Sequence, residues 1–166
     1  MPNHVCMGAL LQCSFGVAPS SLVVLPVNKM LTSFVPAANI MDHKPMVNIM
    51  PFGMCSSPSN PVVASATAAA LGVLTPMPCI PNTTTPWSPG APTMMLANQP
   101  ALDDTSILNC MWGGVIKVNF AGQATEQIRA HSLYLPALLL VLLGASHKPR
   151  HDNFTALAVW VSEPGP

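Results

Sequence analysis

The chain has 166 residues, of which half are apolar and 7% charged, and its formal net charge is zero. That length allows one domain of ordinary size, and the missing net charge leaves no field to gather nucleic acid or an anionic membrane. Nineteen prolines against ten glycines exclude long uninterrupted helices, while the abundance of aliphatic residues argues against disorder.

In chain order, residues 5–27 hold apolar runs broken by Gly16 and Pro19, and read as two short strands joined by a turn. Residues 45–102 contain no Asp, Glu, Lys or Arg and eleven of the prolines, so neutral packing and backbone hydrogen bonds must order them. Within that span, residues 61–71 have helical composition. Asn60 precedes them, Pro61 takes the first position and Gly72 stops them, which predicts one short buried helix. Residues 74–92 read as a proline-punctuated loop, and residues 92–97 and 107–120 as strands, the latter with a turn at Gly113-Gly114. The expected fold is mainly β, with short strands and proline-rich loops.

Residues 124–166 differ in character. An apolar block at 132–145 is flanked by Arg129, His131, His147, Lys148 and Arg150. At roughly 20 residues for a membrane-spanning helix it is too short, and Pro136 interrupts it. A docked amphiphilic tail is the plain reading and a membrane-active appendage the sharper one. The first nine residues lack the pattern of a secretory signal, which predicts a cytoplasmic chain unless a machine exports it. A neutral, apolar chain of this kind is also expected to hide surface against a partner.

Two recurrences link distant segments. Residues 20–25 followed by Pro36-Ala37-Ala38, Asp42 and Cys55 match residues 92–97 followed by Pro100-Ala101-Leu102, Asp103 and Asp104, and Cys110. Separately, Cys13 stands three residues before Gly16 and Cys110 three before Gly113, each in a β-prone run. They predict pseudo-symmetric hairpins whose ends meet at one point.

The segment Pro36-Ala37-Ala38-Asn39-Ile40-Met41-Asp42 resembles the Pro-Ala-Ala-Arg motif and following aspartate of the PAAR family, with Asn39 in place of the arginine. The run Pro51-Phe52-Gly53-Met54-Cys55, Asn60-Pro61, Leu74-Thr75-Pro76-Met77-Pro78-Cys79 and Pro86-Trp87 resembles a PAAR-like family catalogued as a domain of unknown function. Cys110-Met111-Trp112-Gly113-Gly114 and Gly122-Gln123 continue it. The resemblance covers residues 5–123 and divides the chain into a PAAR-like spike-tip domain, 1–123, and a divergent tail, 124–166.

What the resemblance implies is a small conical β-domain that caps and sharpens a trimeric VgrG-like spike of a type VI secretion-like contractile injection machine. Such a cap is made in the cytoplasm, leaves on the spike tip, carries effector cargo in some cases and meets membrane only on delivery or through its tail. The parent family holds zinc near the tip through histidine and cysteine. Zinc takes four N or S ligands and would tie loops together in a domain with few regular elements. By the recurrences, Cys13, Cys55 and Cys110 hold corresponding places, and Cys79 lies in the loop expected to return to the same apex; these four are the first candidates. His43 and Cys6 or His4 are substitutes. No C-x-x-C or H-x-x-x-H pair supports the site, so buried structural thiols are the alternative. Solvated polar residues are the plain reading of His131, His147 and His151.

Catalytic patterns are missing from the sequence. Asp103 and Asp104 form the one close acidic pair and read as turn or cap residues, and Gly113-Gly114 has no phosphate-loop context. The expectation is therefore a structural protein and not an enzyme. A membrane-active effector acting through the tail and a small zinc-dependent hydrolase are the rival readings, the latter needing an open metal position and a general base.

Overall fold

A computed structural model describes residues 1–128; the apolar block 132–145 and His131, His147 and His151 lie outside the described residues. The elements in chain order are β1 (Leu10–Cys13), β2 (Ser20–Ser21), a 3-10 turn (Pro26–Asn28), β3 (Leu31–Thr32), β4 (Val35–Pro36), β5 (Met54–Cys55), α1 (Pro61–Ala69), β6 (Met77–Pro78), β7 (Ala91–Leu96), β8 (Gln99–Ala101), β9 (Ile107–Asn109) and β10 (Val115–Phe120). The fold is mainly β, as composition predicts.

The largest sheet has the order β2-β1-β10-β9, all antiparallel. Its inner face presents Leu11, Cys13, Leu108 and Ile116, while Gln12, Ile107 and Lys117 line the outer face, the period-2 alternation of a half-buried sheet. The strand read from residues 20–25 shrinks to Ser20–Ser21. Leu22 and Val23 are instead held by a bridge to Ile49 and a hydrogen bond to the Asn48 carbonyl.

Helix α1 begins where the sequence places it. The Asn60 side chain accepts from the Val62 N–H at 3.1 Å, and Pro61 occupies the first turn. The helix is not buried as expected: only Val63 is covered. Small and apolar residues surround its axis, so no single stripe directs it inward.

The centre of the fold is a ring of backbone hydrogen bonds among three segments. The Val5 N–H donates to the Leu102 carbonyl (2.9 Å), the Leu102 N–H to the Ala38 carbonyl (3.0 Å), and the Ala38 N–H to the Val5 carbonyl (3.0 Å). A second set of three bonds joins the same segments two residues out with the donor sense reversed: the N–H groups of Met7, Ile40 and Asp104 donate to the carbonyls of Pro36, Pro100 and Asn3 at 2.9, 3.1 and 3.1 Å. Three antiparallel bridges, Cys6 with Ala37, Asn39 with Ala101 and His4 with Asp103, follow the same cycle. With Val5, Ala38 and Leu102 taken as equivalent, each contact maps onto the next, and the chain carries a pseudo-threefold axis. All three residues are fully buried.

Each segment also belongs to a hairpin. Pairing of β3 with β4 closes over Ser33-Phe34, and pairing of β7 with β8 closes over Ala97-Asn98; all four turn residues have positive φ. The third hairpin is assembled from distant parts of the chain. Asn3 bridges Gln127, the His4 N–H donates to Glu126, and the Ile128 N–H donates to Pro2. Thus the counterpart of β7 is β3 and not residues 20–25, and the packed region runs past Gln123 to Ile128.

Candidate functional site

Cys13 ends β1, Cys55 ends β5, and Cys79 and Cys110 directly follow β6 and β9. The turns that carry them are laced together. Gly16 bridges Cys55, the Cys79 N–H donates to the Gly53 carbonyl (2.7 Å), and the Cys110 N–H donates to Gly114 (2.8 Å). All four side chains are buried in one core with Phe52, Leu108 and Ile116. The Cys79 thiol lies within electrostatic reach of Cys55 and Cys13, and Cys13 lies within reach of Cys110 as well.

Glycine permits this approach: a Cβ at Gly114 would stand 2.9 Å from the Cys13 sulfur, and one at Gly16 would stand 2.5 Å from the Phe52 Cβ. Cys13 lies eight residues past Val5 and Cys110 eight past Leu102, so the two are equivalent by the pseudo-threefold axis. Cys55 is seventeen past Ala38 and joins the cluster by a different route, out of the register that the recurrence assigned to it.

The five cysteines are free thiols. Burial pushes the Cys13 thiol up, and it pushes Cys79 up to about 11, so both carry their protons at neutral pH. A set of four sulfur donors fits zinc in kind. Among the described residues, however, no set of three or more His, Cys, Asp or Glu is arranged to hold a metal ion. The thiols are neighbours and do not already form a coordination shell.

The substitute ligands have other positions. The Cys6 thiol donates to the Ala121 carbonyl at 3.5 Å beside Gly122, within the backbone ring. Both ring nitrogens of His4 are occupied, by Thr32 and by the Ala38 carbonyl. Neither residue is placed to complete the cysteine cluster. His43 has a buried Nδ1 without a hydrogen-bond partner among the described residues, while its carbonyl accepts from the Thr83 hydroxyl.

Asp42 organises the turn after Pro36-Ala37-Ala38. Its Oδ2 accepts from the Asn39 N–H (2.9 Å) and from the Asn28 amide (3.2 Å), and its Oδ1 from the Asn48 amide (3.4 Å). Asn39 is tied in as well, donating to Asn28 and to the Leu96 carbonyl and accepting from the Met41 N–H. At this position an amide joins three chain segments without a charge. Burial pushes the Asp42 carboxyl up from its ordinary value, opposed by the Asn39 and Asn28 hydrogen bonds. In the corresponding third segment, Asp103 accepts from the Thr105 N–H and the Ser106 hydroxyl, while Asp104 accepts from Asn3. Asp104 is a turn residue and Asp103 caps that turn, the turn-or-cap roles read from the sequence.

Order across residues 5–123, with its glycine, cysteine and proline positions, is what a family model detects. The family described as "Domain of unknown function (DUF4280)" matches residues 5–123. The chain belongs to the DUF4280 family. No curated protein and no solved structure matches it. The DUF4280 match takes in the ring segments, all four clustered cysteines and Asp42.

Sequence reasoning passed over Thr32 and Phe34 in this DUF4280 chain. The distance of 64 residues between Pro36-Ala37 and Pro100-Ala101, continued backward, pairs Thr32 with Leu96 and Phe34 with Asn98. Applied past the Pro-Ala words, that offset would have marked both residues.

Proposed function

We propose that this protein is a PAAR-like spike-tip cap that closes the end of a trimeric VgrG-like spike in a contractile injection machine. The observation that carries the reading is the pseudo-threefold backbone ring of Val5, Ala38 and Leu102. One chain can match the symmetry of a three-chain spike only if it offers three similar surfaces about one axis, and three hairpins around a fully hydrogen-bonded ring supply them. Low charge suits a surface that is covered in the assembly.

The hairpin end is the docking side of this cap and the cysteine turns lie toward the point. Each chain segment runs from its hairpin through the ring, and two of the three then reach Cys13 and Cys110 eight residues later. Zinc is the cofactor proposed for the point, held by Cys13, Cys55, Cys79 and Cys110. When bound it would cross-link turns that are otherwise joined by short hydrogen-bonded contacts. The cap is made in the cytoplasm and leaves on the spike, with or without cargo.

Co-expression with a trimeric VgrG-like spike protein tests the reading. A complex of one cap to three spike subunits is the expected result, and its absence under several conditions overturns the assignment.

A further inference from the structure

We infer that Phe34 is the aromatic anchor by which the cap grips its spike, and that backbone strain in its turn is tolerated for that purpose. The inference rests on the spike-cap reading. Ser33 and Phe34 form a two-residue turn with φ values of 52° and 67°. Turns of this hand favour Asn and Gly, and a bulky side chain at positive φ is disfavoured. At the equivalent position of the second hairpin the residue is Asn98, with φ 63°.

Packing among the described residues does not account for the phenylalanine, because it is 96% exposed. Exposed Leu31 and Val27 lie on the same stretch of chain, and Met95, the equivalent of Leu31, is exposed on the second hairpin. Lys29 is the one charged residue in 25–36, and 91–101 hold none. A strained aromatic that no described residue covers, on a stretch of chain with one charge, points to a contact made outside the described residues. The occupant is the blunt end of a trimer, because the ring gives this face its threefold arrangement. The three corners differ in sequence, so the aromatic side chain enters one of three identical subunit junctions. Buried aromatic anchors of this kind dominate interface energetics.

Leu71 provides the control. It has φ 55° and is 97% exposed after α1, outside the ring. Phe34→Asn and Leu71→Asn are compared with wild type for thermal midpoint and for affinity to the trimeric VgrG-like spike protein. Both variants are expected to raise the midpoint by roughly 2–5 °C, because asparagine accepts the left-handed conformation. Only Phe34→Asn is expected to weaken spike binding, by about tenfold or more, with Phe34→Tyr close to wild type. Unchanged affinity in Phe34→Asn overturns the anchor and leaves the cap reading standing. Failure of wild type to bind the spike overturns both. Phosphatidylcholine vesicles form a separate arm, and Phe34-dependent vesicle binding without spike binding also overturns the inference.

Discussion

The hydroxyl of Thr32 donates to Nδ1 of His4 at 2.9 Å, while Nε2 of the same ring donates to the Ala38 carbonyl at 3.3 Å. The carbonyl can only accept, so the proton sits on Nε2 and the neutral imidazole is the form that fits. The corresponding pairs about the pseudo-threefold axis are Ala37 with Leu96 and Ala101 with Ile128, all in one apolar cluster. One polar pair therefore replaces a small-large apolar pair in an otherwise repeated core.

Stability is expected to depend on pH through His4. Burial holds its pKa below the ordinary 6.5, so the unfolded chain binds the proton first. The contribution is complete above pH 6.5 and is lost as pH falls through the folded value. Urea midpoints measured between pH 8 and 5 should fall on the acid side. The double substitution His4→Ala with Thr32→Leu, which copies the equivalent pairs, should flatten that limb; an unchanged slope would place the titration elsewhere.

Removal of the Asp42 carboxylate should be costly. Asp42→Ala leaves the Asn39 N–H without its acceptor and frees the Asn28 amide from one partner, an expected loss of about 2–3 kcal/mol in urea unfolding. Asp42→Asn keeps an oxygen for the Asn39 N–H and removes a buried charge, so its loss should be smaller. Equal losses in the two variants would contradict the hydrogen-bond account.

Close approach at the cysteine turns predicts a steric effect. Gly16→Ala would bring a Cβ to 2.5 Å from the Phe52 Cβ, and Gly114→Ala would bring one to 2.9 Å from the Cys13 sulfur. Each should destabilise the protein by roughly 1–3 kcal/mol. Gly113→Ala meets no atom within 4 Å but is strained by its φ of 77°, so its penalty arises from the backbone alone. Thermal unfolding of the three variants compares the two causes.

Purified protein is expected to contain about one zinc per chain. Affinity should rise with pH, since the Cys79 thiol, pushed up to about 11 by burial, must lose its proton to become a ligand. Cys13→Ser and Cys110→Ser should lower the stoichiometry, and Cys6→Ser should leave it unchanged. Metal-free protein that folds normally with free thiols would remove zinc from the account and leave a buried structural cluster.

Several features were legible from residue identity because their causes are local. Asn60-Pro61 starts α1 through a side-chain cap and a fixed φ, and Gly113-Gly114 allows the turn before β10. The grouping of Cys13, Cys55, Cys79 and Cys110 was read from recurrence and resemblance together, and the structure brings their side chains into one core. Burial of α1 was misread, because apolar composition without a stripe does not say which side is covered.

By itself the sequence determined a mainly β chain, the position of α1, its turn positions and two separate recurrences. Only the tertiary structure decided that the Pro-Ala words and the Cys13 and Cys110 turns belong to a single threefold relation, while residues 20–25 and Cys55 do not. Val5, Ala38 and Leu102 are separated by 33 and 64 residues, so no constant period exists to be read. The bonds that join them are between backbone amides and carbonyls, which any side chain allows, and the third hairpin closes with residues 126–128 from far along the chain. A ring made of main chain leaves little trace in residue identity, and its symmetry emerges when the three segments meet.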